Sequence, residues 1–189
     1  MLDLSHRPRV EVETGYALWA ERLVADGWTP YLLSLMFRPI GGSAATVARV
    51  MTAEIERVYA TFVTRVVRRP AAPTSVGNMP VWFCSPDYPI YKRVKASLLE
   101  VGINDGLHWH ASAFQPPISR LREPLVEHFE AHRTLYVRPE FPLDRIDVQQ
   151  VRDRVGYVTG YGRKSIACGR VGGDATLILP RTRREMRKD

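Results

Sequence analysis

Apolar positions recur along the first third of the chain at two different periods. Tyr16-Ala-Leu-Trp-Ala-Glu-Arg-Leu-Val24 has helical spacing, which predicts a short helix closed by Gly27 and Pro30. Tyr31-Leu-Leu-Ser-Leu-Met-Phe37 is an apolar run of strand length, ended by Arg38-Pro-Ile-Gly-Gly42. Ser43 then suits a helix N-cap, and residues 44–69 contain neither Gly nor Pro. Val47, Met51, Ile55, Val58, Phe62 and Val66 draw a stripe of 3.6-residue period, so a long amphipathic helix is expected, ending at Arg68-Arg69-Pro70.

Beyond Pro70 the pattern shortens. Residues 70–80 read as a loop, Val81-Trp-Phe-Cys84 as a short strand, and Pro86-Asp-Tyr-Pro89 as a turn. Ser97 to Phe114 holds two strand-like runs around Asn104-Asp-Gly106, which predicts a β-hairpin stopped by Pro116-Pro117. Ser119 to Tyr136 is amphipathic and predicted helical, with Pro124 tolerated near its start. Arg145-Ile-Asp-Val-Gln149 alternates like a strand. Residues 152–167 have helical spacing weakened by Gly156, Gly160 and Gly162. The end carries an apolar Leu177-Ile-Leu179 and then a cationic run from Arg181 to Lys188. The order implies an α+β fold, with an antiparallel central sheet flanked by helices.

At 189 residues, 45% hydrophobic and 25% charged, the chain reads as one globular domain, and wholesale disorder is excluded. No apolar run approaches the ~20 residues of a membrane helix, and Met1-Leu-Asp-Leu-Ser-His6 does not read as a secretion signal. Cys84 and Cys168 are far apart and neither belongs to a CxxC pair, so a reducing, cytoplasmic compartment and no membrane partner are expected. Charge changes the picture more. Lys plus Arg number 27 against 20 Asp plus Glu, the pI is about 9.7, and 23 of the 27 cations are Arg. That balance suits a polyanionic partner such as nucleic acid, the bland alternative being a solvated Arg-rich surface.

Two clusters carry chemistry. His108-Trp-His110 places two imidazoles on one strand face, a spacing that can bind a divalent ion but also occurs by chance. A three-residue loop, Asn104-Asp105-Gly106, would set Glu100 opposite His110 and bring a carboxylate to the pair. A two-residue loop would turn Glu100 away, and Asp105 or Gln115 are other candidates for third ligand. Two imidazoles and a carboxylate suit a Mn²⁺- or Mg²⁺-type ion, with zinc as the other option. In the second cluster, Tyr157 and Tyr161 stand four residues apart on one helix face, and Lys164 follows Tyr161 by three. A phenol is a poor nucleophile at neutral pH. A neighbouring ammonium and a metal-polarised phosphate would make it competent for phosphodiester transesterification. Two core-facing aromatics and a solvated Lys would explain the same spacing without catalysis.

Taken in order, these pieces resemble the HUH endonucleases, in particular rolling-circle replication initiators of the two-tyrosine branch. Leu32-Leu-Ser-Leu-Met-Phe37 is similar to the family's first strand, with Ser34 and Met36 where Thr is usual. His108-Trp109-His110 matches its His-hydrophobic-His motif. Tyr157-x3-Tyr161-x2-Lys164 matches YxxxYxxK. The resemblance implies an endonuclease-like domain over residues 31–169, an N-terminal extension over 1–30 and a basic tail over 170–189. It implies nicking and rejoining of single-stranded DNA at an origin or hairpin, with a host helicase as a candidate partner, in replication of a plasmid or phage. Tyr161 would attack the phosphate, Tyr157 would perform a second transfer, and Lys164 would offset charge. Glu100, His108 and His110 would hold the ion. Arg68, Arg69, Arg163, Arg181, Arg183 and Arg184 are the expected DNA contacts, and Trp109, on the opposite sheet face, is expected in the core. The same chemistry serves relaxases and transposases. A non-catalytic DNA-binding relative would keep the fold alone, and a coincidental match would leave Tyr161 well away from the histidines.

Overall fold

A computed structural model describes residues 6–88, 104–167 and 175–181. Its centre is a five-stranded sheet in the order β4-β1-β3-β2-β5, antiparallel throughout. The strands are β1 (Thr29–Phe37), β2 (Val81–Asp87), β3 (His108–Gln115), β4 (Leu143–Gln150) and β5 (Leu177–Leu179). The helices are α1 (His6–Ala25), α2 (Ala44–Val66), α3 (Leu125–Ala131), α4 (Arg133–Tyr136), α5 (Val155–Gly162) and α6 (Lys164–Ala167). The protein is therefore α+β, with an antiparallel sheet flanked by helices on both faces. None of the described helices is long and apolar enough to cross a membrane.

The long helix forms where the stripe predicts it. Ser43 accepts a hydrogen bond from the Thr46 N–H as N-cap. Met51, Ile55, Val58 and Phe62 of α2 are buried against one sheet face, built of Leu33, Leu35, Trp82, Cys84, Trp109 and Ala111. Trp109 is thus a core residue, as its strand parity requires. Cys84 is buried too, which pushes its thiol pKa up and makes it inert, while Cys168 lies outside the described residues.

The opposite face is covered by α1 and α5. Ala20 and Leu23 of α1 pack on Phe83 and Phe114. Gly27, at φ +86°, closes α1 with a Schellman turn in which Trp28 N–H reaches Leu23 O and Gly27 N–H reaches Val24 O. The expected N-terminal extension is therefore an integral layer of the fold, and β1 itself starts at Thr29. The expected tail likewise supplies β5, which pairs with Trp82–Cys84.

Two expectations are corrected. Both edges of β3 are taken, by β1 on one side and β2 on the other, and the first arm of the expected hairpin, residues 97–103, lies outside the described residues. Asn104–Gly106 is instead a single helical turn docked on the end of β1. The Asn104 amide donates to Phe37 O and Arg38 O, and its oxygen accepts from Ile40 N–H. The helix predicted from Ser119 begins only at Leu125, since Pro124 disfavours helix before it, and ends as two short pieces, α3 and α4.

Candidate functional site

Alternation along β3 sends His108, His110 and Ser112 to the face away from α2. Register then decides what faces them. Asp87 of β2 lies opposite His108, Ser85 opposite His110 on one side, and Ser34 of β1 opposite His110 on the other. Asp87 is fully buried and His110 is 8% exposed.

Three ligand atoms converge here. His108 Nε2 and His110 Nε2 lie 3.3 Å apart, and Asp87 Oδ2 is 3.5 Å from the first and 3.3 Å from the second. The far side of the His108 ring fixes its tautomer. Gly106 O can only accept, so His108 donates from Nδ1 at 3.1 Å and keeps a lone pair on Nε2. Ser34 Oγ lies 3.1 Å from His110 Nδ1, where its hydroxyl can accept the ring proton or donate its own. Asp87 Oδ2 is buried, and the Lys164 ammonium stands 2.8 Å from it. Two imidazole nitrogens and a carboxylate oxygen facing one another make a candidate cation site. Bonds of about 2.0–2.1 Å at tetrahedral angles separate ligands by about 3.3–3.4 Å, close to the spacing found. Asp87, His108 and His110 could hold a metal ion, and their outer hydrogen bonds are those of oriented ligands.

The remaining Asp87 contacts come from the tyrosine segment. Ser165 Oγ–H donates to Oδ1 at 2.6 Å and Tyr88 N–H donates to Ser165 Oγ. Lys164 Nζ forms an ion pair with Oδ2 at 2.8 Å. Burial alone would raise the Asp87 pKa, but His110, Lys164 and Ser165 against its oxygens outweigh it and hold the carboxyl at about 2. For Lys164, burial would lower the pKa, and Asp87 outweighs that with help from Tyr161, so the net direction is up. Burial also lowers the His108 pKa and keeps the imidazole in the neutral, ligating form.

Tyr161 reaches this cluster. Its hydroxyl lies 3.5 Å from Lys164 Nζ, its ring centroid is 6.4 Å from that of His110, and it is 46% exposed. Tyr157 follows one turn away on the same helix face, with ring centroids 6.5 Å apart, and is more exposed. α5 packs on β3 at Gly162, where an added Cβ would stand in ordinary van der Waals contact with His110 Cβ at 3.5 Å. The segment then breaks at Arg163, which separates α5 from α6 and turns Lys164 towards Asp87.

The sequence expectations divide accordingly. His108, His110, Tyr161 and Lys164 come together, with Tyr157 beside them. Glu100, Arg183 and Arg184 lie outside the described residues. Asp87 was missed because Pro86 and Pro89 bracket it like a turn. β2 in fact runs through Pro86, beyond the last pair with β5, where an edge strand tolerates proline. Arg163 is corrected from DNA contact to internal pin. It is 2% exposed, its Nε and Nη2 donate to Glu13 at 3.0 and 2.9 Å, Nη1 donates to Thr176 at 2.8 Å, and the guanidinium stacks on Tyr16. Arg181 is ion-paired with Glu56 of α2, on the layer opposite the imidazoles. Arg68 and Arg69 are exposed, but they follow the C-terminal end of α2 and belong to that opposite layer as well. The chain matches no family model, no curated protein and no solved structure.

Proposed function

We propose that this chain nicks and rejoins single-stranded DNA through a 5′-phosphotyrosine at Tyr161, in the manner of the two-tyrosine HUH replication initiators. The observation that supports the reading most is the position of Tyr161. An exposed phenol, an ammonium and a three-ligand cation site meet within one cluster, drawn from three separate stretches of chain. A coincidental set of motifs has no reason to converge.

The chemistry is a balanced exchange. Tyr161 Oη forms a bond to phosphorus as the bond to the 3′ oxygen breaks. The phenol proton is transferred, net, to the departing 3′ oxygen. One phosphodiester replaces another, so the step is close to thermoneutral and the free 3′-OH can reverse it, which is the basis of rejoining. Lys164 lies beside the phenol oxygen and stabilises the phenolate as it forms. Asp87, His108 and His110 would hold a divalent ion, which would supply Lewis-acid polarisation of the scissile phosphate. Two imidazoles and one carboxylate favour Mn²⁺ or Zn²⁺ over Mg²⁺, which prefers all-oxygen ligands. Tyr157, one helical turn from Tyr161, would perform the second transfer. The same sheet face continues past the histidines across Ser34 and Met36 to exposed Arg145, Asp147 and Gln149, an open floor on which a strand can lie.

The test is cleavage of a pool of labelled single-stranded oligonucleotides with Mn²⁺, beside EDTA and Tyr161→Phe. The reading expects a protein–DNA adduct that survives denaturing electrophoresis and disappears in both controls. DNA binding without an adduct, from a pool containing the cognate site, would return the chain to a non-catalytic DNA-binding relative of the fold.

A further inference from the structure

A second group of metal-type ligands lies on the opposite layer of the molecule. His128 and His132 are four residues apart, one helical turn, at the end of α3, with ring centroids 4.9 Å apart. Glu123 immediately precedes Pro124, the N-cap of α3, and its Oε1 is 2.8 Å from His128 Nδ1. One ligand atom from each residue falls within 4.8 Å of the other two. The group borders a polar recess of about 280 Å³, completed by Thr64, Arg65, Arg120 and Leu121.

His128 is built differently from a surface histidine. It is 2% exposed, packed by Phe62 and Phe129, and its Nε2 lies 2.7 Å from the hydroxyl of Tyr136, itself fully buried. That leaves only Nδ1 turned to the recess. With no ion, His128 Nδ1–H donates to Glu123, and the Tyr136 hydroxyl donates to Nε2. With an ion on Nδ1, the ring carries its proton on Nε2 and donates to Tyr136, the outer contact by which ligating imidazoles are oriented. His132 caps the carbonyl end of α3, where the partial negative charge of the last peptide groups favours a cation. Arg65 and Arg120 oppose a cation, and the Glu123 carboxylate offsets them.

We infer that Glu123, His128 and His132 hold a second divalent ion, of zinc type. Two borderline-soft imidazoles with one carboxylate select zinc over magnesium or calcium. A fourth position opens to the recess, where water completes the shell. Held this way, the ion fastens the start of α3 to its end, and Tyr136 is a positioning residue. The inference is independent of the DNA chemistry, because no residue is shared between the two groups.

The experiment counts zinc ions per chain on the full-length protein by calorimetric titration with Zn²⁺. It compares wild type, His132→Ala, Glu123→Gln and His110→Ala, with imidazole ¹⁵N spectra recorded in parallel. The expectation is two ions in wild type and one in each variant. The His128 proton moves from Nδ1 to Nε2 on zinc addition in wild type and in His110→Ala, but not in His132→Ala. His132 is exposed, so its replacement leaves the fold intact. Tyr136→Phe should weaken this site alone by roughly 10–100-fold. Unchanged stoichiometry in both His132→Ala and Glu123→Gln, with no change of tautomer, overturns the second site. Loss of an ion in those two but not in His110→Ala leaves the second site standing and refutes the first.

Discussion

Replacing Asp87 with Asn separates the charge of this carboxylate from its shape. In the folded protein its pKa is about 2, against 3.8 when unperturbed. At about 1.4 kcal/mol per pKa unit, that difference makes the ionised carboxylate worth about 2 kcal/mol of folding stability. The sign follows from the direction of the shift. A depressed carboxyl stabilises fully above its unfolded pKa, and the contribution fades as pH falls from about 4 towards 2. Asn keeps an oxygen to accept from Ser165 but leaves Lys164 without its ion pair. Denaturant unfolding in EDTA, at several pH values between 7 and 2.5, measures the gap between Asp87→Asn and wild type. The expected gap is about 2 kcal/mol at pH 5–7, shrinking to a fraction of that at pH 2.5. No gap at neutral pH, or a gap that stays constant down to pH 2.5, would refute the electrostatic account. In the absence of EDTA the same variant should bind Mn²⁺ or Zn²⁺ more than about 100-fold more weakly, a larger loss than an outer-contact change produces.

Glu100→Gln, by contrast, should leave metal affinity within about threefold of wild type, measured by the same titration, since Asp87 already supplies a carboxylate beside the two imidazoles. Arg163→Ala should destabilise the protein by about 3 kcal/mol in denaturant melts, because it leaves Glu13 without its buried partner. It should leave the salt dependence of DNA binding unchanged, and a reduced salt slope would restore Arg163 as a phosphate contact. Gly160→Ala should stabilise by about 0.5–1 kcal/mol in thermal melts, since a Cβ there meets nothing within 4 Å. Tyr157→Phe should retain the first adduct with single-stranded DNA but lose transfer to a second strand, read as missing rejoined product on a denaturing gel.

The elements that could be read from the chain are those whose pattern is local. The α2 stripe and Ser43 cap, the apolar β1 run and the parity of His108 and His110 each depend on neighbours in sequence. The YxxxYxxK spacing survived a break at Arg163, because the turn there still points Lys164 towards Tyr161. What could not be read is pairing. Nothing near His108 in sequence indicates that β1 and β2 occupy both edges of β3, so a nearby turn looked like a hairpin loop. Asp87 follows from that same non-local pairing, opposite His108. Arg163 looked like surface charge because its partners, Glu13, Tyr16 and Thr176, come from distant parts of the chain.

The strand order also governs how the protein comes to be folded. His110 sits on the central strand, and its contact with Ser34 joins positions 76 residues apart. Long loops must close before such pairings gain any contact energy, which makes sheets of this connectivity slow to form. The tyrosine segment adds a further delay. Arg163, between Tyr161 and Lys164, is clasped by Glu13 from one end of the chain and Thr176 from the other. A nascent chain therefore carries all the reactive side chains before they are aligned. The cluster is aligned only once the residues from Glu13 to Thr176 have all been made and packed.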